Sequence, residues 1–227
     1  MLAPMRVELQ PIIDQLELQE DGDDTRYRGH AGDVEVVALL TNIGMGPGAD
    51  AARRMLELDI DWVMVVGVAG GVDKTITIGE VIVPETVVDR ATGNSYRPHS
   101  VGDITPRGIV SCGDELITDP TIIGQMEKDG VRAVEMESAA VGPVCEDAGV
   151  PWSVFRGISD FADAGLVDDE LFAMTRPDGS ADPDAMKRLL ADPKRAKILQ
   201  QLGHDTMLAT TNVAAAAIRA CAMVPKQ

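Results

Sequence analysis

Two acidic residues stand where this chain could hold or move protons. Glu137 follows Val131-Arg132-Ala133-Val134-Glu135-Met136, and Asp160 follows Gly157-Ile158-Ser159. Carboxylates that share a cleft are suited to acid–base chemistry and to gripping the polar groups of a ligand. What could bring them together is a sequence of elements. Val131 to Glu135 reads as a strand, Glu137 to about Asp147 as a helix, and Trp152 to Arg156 as a second strand. Strand, helix and strand in that order are expected to form a right-handed βαβ unit. Its parallel strands would end at one edge of the sheet, where ligands bind. Plainer explanations exist for each residue alone: Glu137 suits a first helical turn, Asp160 suits a cap, and Met136 suits a core.

Composition narrows the function class. The 227 residues are the length of one large domain, and no boundary, repeat or low-complexity tract divides 1–227. Aromatics are only 3%, so the core must be built from Val, Ile, Leu, Ala and Met. A net charge of −17 argues against a nucleic-acid or anionic-membrane partner, either of which needs a basic surface. No apolar run reaches the ~18 residues of a membrane helix, and no basic-then-apolar leader is visible. Cys112, Cys145 and Cys221 are odd in number and scattered, as expected of reduced thiols in the cytoplasm. His30, His99 and His204 cluster neither with each other nor with the cysteines, so neither a metal nor an organic cofactor is implied.

Along the chain, a helix is expected from Pro11 on, with Ile12, Ile13 and Leu16 on one face and Glu8 just ahead of it. Such a glutamate is often just a dipole partner. Residues 19–33 read as a hairpin or exposed connection and Val34 to Leu40 as a strand. Thr41 to Gly48 reads as a glycine-rich turn before a helix over Ala51 to Leu58. No Lys-Ser/Thr follows these glycines, so this is no P-loop. Trp62 to Val66 has the continuous apolarity of a central parallel strand, ending in a turn at Gly67-Val-Ala-Gly-Gly71. Further strands are expected over Gly79 to Pro84, Glu85 to Asp89 and Ile109 to Gly113, and a helix over Pro120 to Met126. The polar stretch Ala91 to Arg107 reads as a loop offering Tyr96 and His99 as pocket candidates. Asp182-Pro183 and Asp192-Pro193 open two short charged helices, and Thr206 to Met223 reads as a long final helix.

Four segments together resemble the nucleoside phosphorylase superfamily, and within it the methylthioadenosine/S-adenosylhomocysteine nucleosidases. They are Met5 to Glu8; Gly67-Val-Ala-Gly-Gly71 followed by Gly79-Glu-Val-Ile-Val; Val134-Glu-Met-Glu137; and Ile158-Ser-Asp160 with Ala162-Asp163. The resemblance implies a three-layer α/β/α domain around a mixed, largely parallel twisted sheet, and hydrolysis of a purine N-glycosidic bond. It implies Asp160 as the acid serving the leaving base and Ser159 as the residue holding it. Glu137 would take the ribose hydroxyls, Met136 would pack on the ribose, and Glu8 would deprotonate the attacking water. Ala69, Gly70, Leu116 and Ile117 would line the base site. It implies a small-molecule nucleoside as partner, a homodimer with residues 91–107 completing a neighbour's pocket, and a place in methionine salvage.

Phosphorolytic relatives hold phosphate with an arginine and a hydroxyl residue at what are here Val65 and Val68, which donate nothing to an anion. That favours hydrolysis. A phosphorolytic enzyme, and a nucleoside-binding protein without turnover, are the alternatives. Three departures from the family pattern bear on them. Leu116 stands where an aromatic is expected, Val68 where a hydroxyl is expected, and the first strand looks truncated ahead of Met5.

Overall fold

The computed structural model describes residues 1–167 and 169–225. A two-residue strand β1 (Leu2–Ala3) slots between neighbours and leads into helix α1 (Arg6–Leu16). Strands β2 (Gln19–Asp21), β3 (Asp23–Ala31) and β4 (Val34–Leu40) form an antiparallel meander, the hairpin expected of residues 19–33. Helix α2 (Met45–Leu56) precedes the central strand β5 (Val63–Gly71). Next come β6 (Val81–Ile82), β7 (Thr86–Asp89), β8 (Ser95–Tyr96) and β9 (Ile109–Cys112). Helix α3 (Pro120–Lys128), strand β10 (Val131–Glu135), helix α4 (Ser138–Asp147) and strand β11 (Trp152–Phe161) form the middle of the chain. Helices α5 (Asp169–Met174), α6 (Pro183–Ala191) and α7 (Pro193–Cys221) end it.

The strands run in the order β2-β3-β4-β1-β5-β10-β9-β7-β8, with β11 against β5 and β6 against β11. The inner pairings β4–β1, β1–β5, β5–β11, β10–β9 and β9–β7 are parallel. Helices α1 and α7 cover one face, where Leu9, Ile12, Phe155, Val213 and Ala217 are buried together. On the other face α2 and α4 lie over Val63, Val65, Trp152 and Val154. With helices on both sides, every residue from Val63 to Val66 is buried, which is why that run carries no polar alternation. Each such side chain contributes about 1.5–3 kcal/mol of transfer free energy before the entropy of ordering it.

Several expectations need correction. Strands β10 and β11 are not parallel neighbours. Both pair with β5, β11 parallel along its whole length and β10 antiparallel through Ala133 and Val134. The stretch Gly67–Gly71 is therefore strand rather than turn, and it is the element that draws the ends of β10 and β11 to one place. Helix α1 begins five residues before Pro11, which sits inside it at the cost of one backbone hydrogen bond. Helix α2 begins at Met45, since Pro47 lies in a first turn whose N–H groups have no helical partner in any case. The strand expected over Gly79 to Pro84 shrinks to Val81–Ile82. Asp192-Pro193 opens a 29-residue helix that runs unbroken through Gly203, a residue whose helical penalty of about 1 kcal/mol is too small to stop a well-packed helix.

Candidate active site

Everything at the site depends on how three acids are held. Glu8 is the third residue of α1, and its carboxylate accepts two backbone hydrogen bonds, from Met5 N–H at 2.7 Å and from Val68 N–H at 2.7 Å. It is therefore firmly anchored although β1 is only two residues long, because Leu2 and Ala3 are wholly buried between β4 and β5. Glu137 lies at the entry to α4, where its Oε1 accepts from Gly44 N–H at 2.9 Å at the start of α2. Its Oε2 accepts from Arg156 Nη2 at 2.8 Å. Asp160 comes from the far end of β11 and accepts from the Ser159 hydroxyl at 2.7 Å.

Arg156, which the sequence reading passed over as the end of a strand, is the cation among these acids. It is 0% exposed and ion-paired to both Glu135 and Glu137. Glu135 in turn accepts from the backbone N–H groups of Glu137 and Ser138 at the start of α4, fixing where Glu137 points. The signal was there to be found: an arginine in the middle of a buried strand must have a carboxylate partner. Gly67 makes the cluster possible, because a Cβ there would stand 2.5 Å from Glu8 Oε1 and 2.6 Å from Arg156 Nη1.

One guanidinium cannot balance three buried carboxylates. Glu135 wins the contest: burial opposes its ionisation, but Arg156, the Cys112 thiol and the N–H groups at α4 together hold it below the usual carboxylate range. Burial pushes Glu8 up to about 8, with Arg156 opposing and Glu137 adding to the rise. Burial likewise pushes Glu137 up to about 7, with Arg156 opposing and Glu135 adding. Asp160 is also raised, first by burial and then by Asp205, against the Ser159 hydroxyl.

These shifts fix a pH dependence. A carboxyl whose folded value exceeds its unfolded one, here about 8 against 4.5 for Glu8, stabilises the fold fully below the unfolded value. That contribution is lost as pH rises through the folded value. Glu8→Gln, which cannot ionise, is therefore expected to have a higher unfolding temperature than the wild type at pH 9, with the gap closing towards pH 5. Thermal unfolding across that range is the check, and an equal gap at both ends would contradict the assignment.

A cavity of about 430 Å³ opens over these groups. Nine of the eleven residues singled out from the sequence line it: Glu8, Ala69, Gly70, Leu116, Ile117, Met136, Glu137, Ser159 and Asp160. Tyr96 and His99 do not. Tyr96 pairs with Val87 in the β7–β8 hairpin, and His99 packs edge-on against Trp62, its N–H bonded to Trp152 where β5 and β11 begin. That is the opposite end of those strands from Asp160. The sequence also missed a whole wall of the cavity: Val167, Leu171, Phe172, Met186, Leu199 and Leu202, from α5 to α7 and the residues just before them. Among the described residues no group of three or more His, Cys, Asp or Glu is arranged to hold a metal ion. Among the described residues no helix is long and apolar enough to cross a membrane.

Comparison with known proteins agrees with this fold. Residues 1–192 match the sequence model of the phosphorylase superfamily. The 5'-methylthioadenosine/S-adenosylhomocysteine nucleosidase of Exiguobacterium sp. (strain ATCC BAA-1283 / AT1b) is 30% identical over 203 residues, covering 74% of this chain and 84% of the relative. Among solved structures, the nucleosidase of that name from S. pneumoniae, bound to a transition-state inhibitor, superposes with a TM-score of 0.74 at 17% identity. The match covers 99% of this chain and 98% of that one. Futalosine hydrolase of Helicobacter pylori strain 26695 superposes with a TM-score of 0.69 at 18% identity, covering 95% and 93%. The chain belongs to the phosphorylase superfamily and resembles the 5'-methylthioadenosine/S-adenosylhomocysteine nucleosidases within it.

Proposed function

We propose that this protein hydrolyses the N-glycosidic bond of purine nucleosides carrying an apolar, thioether-like 5′ group. The observation that carries the reading is the convergence of Glu8, Glu137 and Asp160, from three distant parts of the chain, on one cavity of nucleoside size. Asp160, whose burial raises its hold on a proton, gives that proton to the imidazole side of the departing purine. The C1′–N bond breaks with its electron pair going to the base, and C1′ gains oxocarbenium character. Glu137 takes hydrogen bonds from the ribose hydroxyls and favours the developing positive charge. Water attacks C1′, and Glu8 accepts its proton. The positive sugar itself draws Glu8 towards its ionised form at that moment. Ala69, Gly70, Leu116 and Ile117 form the base wall, Met136 packs on the ribose, and the Phe172–Leu202 wall receives the 5′ group.

Water rather than phosphate is the nucleophile in this reading. Val65 lies in the core, and Val68 N–H, a donor that could serve an anion, is already bonded to Glu8. Arg156 faces carboxylates, and Arg90 gives its N–H groups to the carbonyls of Ser111, Gly113 and Glu115. The test is to incubate the protein with methylthioadenosine, S-adenosylhomocysteine, adenosine and inosine, with and without phosphate, and to follow the free base. Release that is independent of phosphate is expected. Release only with phosphate, yielding ribose 1-phosphate, would make the protein a phosphorylase. Binding without release from any substrate would make it a nucleoside-binding protein.

Three buried, unpaired cysteines suit a cytoplasmic setting, and methylthioadenosine cleavage suits methionine salvage. A homodimer completes the proposal, with exposed residues of the 91–107 segment, which lies away from this chain's own cavity, meeting a neighbour. Sedimentation at micromolar concentration should give twice the chain mass.

A further inference from the structure

Asp205 is a buried carboxylate that no step above uses. It lies on α7, is 8% exposed, and accepts from Gln201 Nε2 with both oxygens, at 2.8 and 2.9 Å. The His204 ring stands 3.2 Å from one of them. A Gln–Asp pair one turn apart contributes only a few tenths of a kcal/mol to a helix, and the same pair could form on an exposed face. Burying a carboxylate with a neutral amide as its main partner costs solvation that this bond does not return. Placement suggests what the cost supports. Helix α7 runs back along β11 in backbone contact, since a Cβ on Gly157 would stand 2.7 Å from the Ala209 carbonyl oxygen. Asp205 is one helical turn before Ala209, and Asp160 is three residues beyond Gly157 on the strand. Gly203 and Thr206, on either side of Asp205, line the same cavity as Asp160.

We infer that Asp205 is a positioning residue for the acid: from across the helix–strand contact, its negative charge keeps the proton on Asp160. This rests on the reading of Asp160 as the proton donor. Two carboxylates shielded from water on either side of a close helix–strand contact cannot both ionise freely, so the carboxyl that must give up a proton keeps it until the base departs. The repulsion between Asp205 and Asp160 acts in this direction. The other charged groups nearby leave the pair largely to itself. Lys74, which packs over the Phe161 ring, is engaged by Asp163 at 2.5 Å, Arg156 is ion-paired to Glu135 and Glu137, and Glu8 accepts from Met5 and Val68 N–H. On Asp205's own helix its sequence neighbour His204 has a side chain that is 73% exposed, and Lys194, Arg195, Lys197 and Arg219 lie two or more turns away.

The test is the alkaline limb of the kcat–pH profile. In Asp205→Asn the limb is expected to move to lower pH, so that the ratio of turnover at pH 9 to turnover at pH 6 falls roughly three- to ten-fold below the wild-type ratio. Asp205→Glu, which keeps the charge, should retain the wild-type limb. If Asp205→Asn does not fold, Asp205→Ser carries the same prediction. An unmoved limb, a uniform loss at every pH, or an equal shift in the Glu variant would overturn the inference. Asp160→Asn measured in parallel separates the two readings. If it keeps its turnover, the acid assignment itself fails and this inference with it. If it is dead while the Asp205→Asn limb stays put, only the role of Asp205 falls.

Discussion

Asp160→Asn is expected to lower base release by about 10²–10⁴-fold, the range spanned by a lost general acid. The loss should fall on kcat, because asparagine fills the same space and can still accept a hydrogen bond from Ser159. What it lacks is a transferable proton. An expelled purine anion is a poor leaving group, so without that proton the C1′–N bond must break against a higher barrier. The fold should be untouched, since among the described residues Asp160 makes no salt bridge and its side chain is held by the Ser159 hydroxyl. Circular dichroism and thermal unfolding verify this, and turnover within ten-fold of the wild type would show that another group supplies the proton.

Arg156→Met should be the most damaging substitution for stability. Methionine keeps the unbranched apolar stem of arginine but not its guanidinium, so it strands Glu135 and Glu137 in a buried site without their cation. Breaking a buried pair from one side costs about 3–5 kcal/mol, a large share of the 5–15 kcal/mol that holds a typical domain folded. The loss should be worst at alkaline pH, where both glutamates are ionised, and lighter in acid, where they can take up protons. Adding Glu137→Gln removes one of the stranded charges, so the double variant should recover part of the lost stability. Unfolding midpoints of the four proteins in this cycle measure the effect. An unchanged midpoint in Arg156→Met would mean the cluster is not held by charge.

The sequence marked out residues that share one cavity but not the strand pairing that brings them together. Glu8 was marked out only by the resemblance to the superfamily, whereas Glu137 and Asp160 stood out as acids that follow apolar runs. Their convergence was expected from a parallel βαβ unit, yet it arises differently, from an elongated β5 that pairs with β10 and β11 in opposite senses. Strand direction of that kind is set by distant pairing and leaves no mark in local periodicity. Arg156 and Glu135 were overlooked because each reads as the polar end of a strand, and only the partner shows that both are interior. The Phe172–Leu202 wall was hidden for another reason: its helices carry so many charges that their apolar sides look incidental until a cavity faces them. Pro11 and Gly203 misled because local breakers yield to tertiary packing when a helix buries a full face.

The central claim is spatial, and a complex tests it directly. A non-cleavable C-glycoside analogue of methylthioadenosine should be crystallised with the protein. The account predicts its base with an imidazole nitrogen in hydrogen-bond reach of Asp160, its ribose hydroxyls on Glu137, and a water between C1′ and Glu8. An analogue seated elsewhere, or one that leaves any of the three acids out of reach of the sugar–base bond, would contradict it.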